Sequence, residues 1–181
     1  MSVSPVPEGF NSISPYLVVK NGIEALEFYG KAFGAETVMV MPGPDGQGCM
    51  HAEMRIGDSV VMMSDENPQF NMLAPSELAG TSCSMHLYLE DVDAAFGQAT
   101  EAGCEVIMPP MDMFWGDRMC KIKDVYGHVW GIATHKEDVP PEEMEGRNGR
   151  TRGRLHEADG RRWRLPRRRL EITLADGESL K

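Results

Sequence analysis

The chain carries one pattern twice, and whatever the first copy folds into the second must be able to form as well. Setting Ser14 on Ser84, an offset of 70, also sets Leu17 on Leu87, Val19 on Leu89, Asn21 on Asp91, Ala25 on Ala95, Leu26 on Phe96 and Ala32 on Ala102. One residue then drops out, and Gly34/Gly103 and Glu36/Glu105 continue at 69. The period is long enough for a complete supersecondary unit rather than a single strand or helix.

Each copy opens on a strand-like stretch (Tyr16-Leu17-Val18-Val19; His86-Leu87-Tyr88-Leu89) and then meets Asn21 or Asp91, residues suited to cap a helix. Glu24 completes a capping box in the first copy. In the second, Val92, Ala95, Phe96, Ala99 and Ala102 form an amphipathic stripe that closes at Gly103. The first helix, Ile23 to Phe33, is apolar over a broader face. Strands are predicted at Glu36–Met41, His51–Ile56 and Ser59–Met63, and again at Glu105–Met108, Arg118–Lys123 and His128–Ala133. The expected fold class is α+β, with two tandem βαβββ modules (about 11–65 and 82–135) forming a curved mixed sheet around a concave pocket.

Strand parity sorts the residues between the two faces. A two-residue turn at Gly57-Asp58 sets Met54 against Val61 and Ala52 against Met63, an apolar face for the helix. Glu53 then opposes Met62, and His51 opposes Ser64, on the concave face. The repeat adds Ser14, Tyr16 and Val18 from the first strand and Ser84, His86 and Tyr88 from the fifth. Lys121 joins them if Ile122 opposes Trp130 on the helix side.

Composition divides the 181 residues at a sharp edge. Residues 1–146 hold 7 Lys and Arg against 23 Asp and Glu, whereas 147–181 hold 11 against 5. The domain is therefore taken as 1–146, followed by an arginine-rich tail, 147–181, expected to stand outside the fold. A surface as acidic as that of the first part repels nucleic acid. The tail's run Arg161-Arg162-Trp163-Arg164 to Arg169 leaves nucleic acid, an acidic surface or no partner open. Four separate cysteines without a C-x-x-C, and no apolar run near the roughly 18 residues of a membrane span, place the chain in the cytoplasm as an expectation.

The doubled unit, with Pro15-Tyr16-Leu17-Val18-Val19, Met50-His51-Ala52-Glu53, Trp115-Gly116-Asp117-Arg118 and Asp124-Val125-Tyr126-Gly127-His128-Val129-Trp130, resembles the vicinal-oxygen-chelate superfamily of glyoxalases, bleomycin-resistance proteins and extradiol dioxygenases. It is most similar to the PhnB-like branch, whose D-P-F-G-H motif stands here as Asp124-Val125-Tyr126-Gly127-His128. The resemblance implies a homodimer. It also implies a divalent ion held by residues on the first and last strand of each module.

At the positions matching those ligands stand Ser14, Met62, Ser84 and Gly131, none of them an imidazole or carboxylate. No cofactor is therefore expected, with a displaced metal site at His51, Glu53 and His86 as the alternative. Catalytic roles stay open, with those same three as candidates. The ligand-binding set is Tyr16, His51, Glu53, Met62, His86, Tyr88, Trp115, Arg118 and Lys121. Trp115 offers an aromatic wall, and Arg118 offers a guanidinium for an anionic or planar ligand unless a neighbouring acid takes it. Trp130 reads as core and His128 as a brace of its hairpin.

Two functional classes follow. One is a metal-free module that captures a small molecule in the concavity. The other is an enzyme, a lyase, isomerase or dioxygenase with a displaced metal, or a metal-free acid–base catalyst.

Overall fold

The computed structural model describes residues 3–144 together with 146 and 147. The first module runs β1 (Tyr16–Val19), α1 (Gly22–Phe33), β2 (Glu36–Met41), β3 (His51–Ile56) and β4 (Ser59–Asp65). The second runs β5 (Ser84–Tyr88), α2 (Val92–Glu101), β6 (Glu105–Asp112), β7 (Asp117–Lys123) and β8 (Val129–His135). Each module makes its own four-stranded mixed sheet, in the orders β1-β4-β3-β2 and β5-β8-β7-β6. The arginine-rich tail lies outside the described residues except for Arg147, which forks onto Glu137 and also reaches Glu143.

The helices start and stop for the expected reasons. Asn21 accepts from the Glu24 backbone N–H, and Asp91 accepts from those of Asp93 and Ala94, so donors left free at each first turn are satisfied. Gly34, with φ 66°, ends α1 in the left-handed conformation that a side chain resists. Strand β6 runs past its expected end at Met108, through Pro109 and Pro110, to Asp112. It can do so because it is an edge strand, where a missing N–H costs no ladder bond, and its register slips twice.

The ladders keep the repeat. Tyr16 pairs with Met62 and Leu17 with Met63 in the parallel β1–β4 ladder. Their counterparts in β5–β8 are His86 with Gly131 and Leu87 with Ile132. The turn at Gly57-Asp58 sets Met54 against Val61 and Glu53 against Met62, as its two-residue length requires. In the second module Ile122 faces Trp130 and Lys121 faces Gly131.

The helix-facing sides of both sheets share one core, to which α1 contributes Ala25, Leu26, Tyr29 and Ala32, and β7 and β8 contribute Cys120, Ile122, Trp130 and Ile132. One buried carboxylate ties the halves together. Asp124 accepts from the Tyr29 hydroxyl and Trp130 Nε1, both at 2.8 Å, and from the backbone N–H groups of Tyr126 and His128. His128 does more than brace its own hairpin, because its Nε2 donates to the Val18 carbonyl of the other module at 3.0 Å.

Candidate functional site

With the helix-facing parity committed to the core, the opposite parity of each sheet presents the remaining side chains. On the first sheet this brings together Tyr16, His51, Glu53 and Met62, the last two directly opposed. The Tyr16 hydroxyl stands 3.2 Å from His51 Nδ1, and His51 Nε2 stands 3.4 Å from Glu53 Oε1. With Nε2–H directed to the carboxylate, Nδ1 is left to accept from the phenol, giving a continuous Tyr–His–Glu chain. Its outer end is open, since Tyr16 is 44% exposed. The chain can orient a polar ligand or pass a proton.

The second sheet gathers a different group. The His86 and Tyr88 rings meet edge to face, with centroids 4.8 Å apart. The Tyr88 hydroxyl and Trp115 Nε1 both donate to Oδ2 of Asp117, while His135 Nδ1 donates to Oδ1 at 2.8 Å. Burial alone would raise the Asp117 carboxyl, but the bonds from His135, Trp115 and Tyr88 outweigh it and hold the group below the usual carboxylate range. His135 is raised in turn, first by its bond to Asp117 and then by Asp138.

Sequence reasoning named Tyr88 and Trp115 but missed Asp117 and His135, the pair that fixes them. The signal was available: extending the Ile122–Trp130 register outward by five rungs sets Asp117 opposite His135. Lys121 lies on the concave parity, opposite Gly131. Arg118 does not join this set, because it shares the parity of Cys120 and Ile122. It turns to α2, where it forks onto Asp93 at 2.6 and 2.7 Å and also bonds Asp112. A guanidinium so engaged has donors already satisfied by carboxylates.

The positions matching the ligands of metal-dependent proteins do not suit a divalent ion. Met62 brings a thioether, and Ser14 and Ser84 bring neutral hydroxyls. Gly131 brings nothing, and a Cβ built there would lie 3.0 Å from Nδ1 of His86, whose ring occupies the space a side chain would need. His51 and Glu53 adjoin each other, whereas His86 sits on the other sheet. Among the described residues no three His, Cys, Asp or Glu side chains are grouped to hold a metal ion. Among them, too, no helix is long and apolar enough to cross a membrane.

Known proteins resemble this chain in sequence or in fold. The uncharacterized protein Mb0911c of Mycobacterium bovis is 38% identical over 137 residues, covering 74% of this chain and 90% of that protein. The crystal structure of PA1353 from Pseudomonas aeruginosa superimposes with a TM-score of 0.55 at 22% identity, covering 70% of this chain and 99% of that one. The PhnB protein from Bacillus cereus gives 0.52 at 18% identity, covering 68% and 99%. At these identities the two structures speak for the fold alone. Residues 9–132 match the family model described as Glyoxalase/Bleomycin resistance protein/Dioxygenase superfamily, and the chain belongs to that superfamily.

Proposed function

We propose that this protein captures a small organic molecule on its concave surface, and that it does so without a divalent ion at the superfamily's usual ligand positions. The observation that carries this reading is the Tyr16–His51–Glu53 chain beside Met62, polar side chains ordered by one another on a sheet face that is open rather than packed. A core has no use for such a chain, and a binding surface needs pre-oriented donors and acceptors of this kind. Lys121 and the His86–Tyr88 pair supply the corresponding features of the second sheet. Asp124-Val125-Tyr126-Gly127-His128 supports placing the chain in the PhnB-like branch.

A thermal-shift screen of small molecules tests the reading, because a ligand of the native state raises the melting temperature by mass action. For any hit whose binding buries a hydrogen bond to these side chains, Glu53→Ala and His86→Ala are each expected to weaken binding by about 1–3 kcal/mol, roughly five- to two-hundredfold, as that partner is lost. Unaltered affinity in both variants would remove these residues from the site.

The same chain favours a second reading, an acid–base enzyme of lyase or isomerase type in which His51 exchanges a proton with bound substrate and Glu53 holds its ring. Exposure to Ni, Mn, Fe and Zn followed by desalting and metal analysis bears on the chelate variant. A stoichiometric, tightly held ion would revive a displaced metal site and a dioxygenase-like or lyase chemistry.

A further inference from the structure

We infer that the end of the first sheet's concave face is a subsite for a primary amine carried on an apolar body, an inference that rests on the binding reading and names the class of its ligand. A cavity of about 530 Å³ opens there between the ends of β1 and β4 and the loop joining β2 to β3. Tyr16, Met50 and Met72 give it apolar walls, while Asp45, Asp65 and Glu66 give it three carboxylates. Among the described residues no lysine or arginine lines it. The charge of Lys20 reaches Glu66, but the ammonium itself bonds Glu77.

The wall is built and held. Asp65 accepts from the backbone N–H groups of Gly22 and Cys49 at 2.5 and 2.7 Å, fastening the loop to the start of α1. Gly48 has φ 66°, and a Cβ there would lie 2.6 Å from Asp65 Oδ2, so only glycine lets the loop approach this closely. Asp45 accepts from the Gln47 N–H and Glu66 from the Ala74 N–H, which orients both carboxylates without neutralising them.

A second observation, independent of the charges, points to a ligand. Ser64 is 5% exposed and lines the same cavity. Among the described residues its hydroxyl has no hydrogen-bond partner. A buried hydroxyl left unpaired is costly and uncommon, and an ordered donor placed in the cavity satisfies it. An ammonium is all donor: it can give one hydrogen to Ser64 and others to the carboxylates. A carboxylate or phosphate would meet three like charges instead, and the apolar walls leave room for an aromatic or alkyl body.

The test uses the full chain and three probes of one shape: phenethylamine, 3-phenylpropionate and 2-phenylethanol. Each is titrated by calorimetry and by chemical-shift changes at Tyr16, Ser64 and Met72. The amine is expected to bind at least about tenfold tighter than the acid, with an affinity that falls as salt is added. The double variant Asp45→Asn, Glu66→Gln keeps both backbone bonds and is expected to lower amine affinity about tenfold while leaving the alcohol unchanged. Ser64→Ala is expected to weaken the amine several-fold at an unchanged or higher melting temperature, since it removes an unsatisfied hydroxyl. Equal or tighter binding of the acid, an unaltered double variant, or no saturable amine binding would each overturn the inference. Acid or alcohol binding at these resonances would leave the concave surface standing as a binding site, and the thermal-shift screen judges that reading separately.

Discussion

The hydroxyl of Tyr29, on the helix of the first module, donates to Oδ2 of Asp124, in the last turn of the second, across 2.8 Å of interior. Asp124 is 3% exposed and is held by four neutral donors rather than by a counter-charge. The five residues from Asp124 to His128 fill a turn that the first module closes with only Gly57-Asp58. Much of the Asp124–His128 motif therefore serves to join the modules.

Asp124→Ala should cost about 3–5 kcal/mol, because four buried donors lose their acceptor together, and Tyr29→Phe about 1–2 kcal/mol. Urea unfolding of both variants measures this. Burial, and then the charge of Asp124, pushes the Tyr29 phenol well above its ordinary pKa. Its contribution is complete below about pH 10 and is lost as pH rises through the folded value. Equal loss of stability with alkali in the wild type and Tyr29→Phe would contradict that assignment.

The Asp117–His135 pair has a pH window of its own. His135 is raised, so its contribution is complete below its unfolded value of about 6.5 and fades as pH climbs through the folded one. Asp117 is depressed, so its contribution is complete above about pH 4 and is lost on acidification through the folded value. The two overlap fully between about pH 4 and 6.5. In an NMR titration, Asp117→Asn should bring the His135 midpoint down toward that of a free imidazole. An unmoved midpoint would dissociate the two residues.

Assembly follows from the sheet edges. All six residues of β2 are exposed, among them Val38, Met39, Val40 and Met41, and β6 exposes Val106 and Ile107 at the edge of the other sheet. Unpaired edges of this apolar character are normally covered. The expected form is a homodimer, with a sedimenting mass twice 20.1 kDa at tens of micromolar. Val40→Lys should shift it toward monomer, and a wild-type monomer at that concentration would refute the expectation.

A chain ending at Arg147 should keep its melting temperature within a few degrees of the full chain. It retains the Arg147 pairs with Glu137 and Glu143 and every residue of the shared core. A drop of tens of degrees would mean that the remaining tail belongs to the folded domain.

What the sequence made legible depended on whether a short-range rule set the register. The two-residue turn at Gly57-Asp58 left one parity for β3 and β4, and Glu53 duly opposes Met62. For Arg118 the sequence left a ligand and a neighbouring carboxylate both open, and only the packing of α2 and β6 against β7 brings Asp93 and Asp112 to its guanidinium. Asp117 and His135 are 18 residues apart and form no local motif, so they are found only by carrying the Ile122–Trp130 register to the far end of the β7–β8 ladder. The orphan hydroxyl of Ser64 has no sequence signature at all, since a missing partner is a property of the packed interior.

The two copies of the pattern are not equivalent at the corner where they meet. The carboxylate at position 124 belongs to one half, while the phenol at 29 and the carbonyl at 18 that the motif engages belong to the other. Cutting the gene between the copies would strand a negative charge in one product and open a hole in the shared interior of the other. The halves can therefore be neither divided nor exchanged without losing the bonds made at that corner.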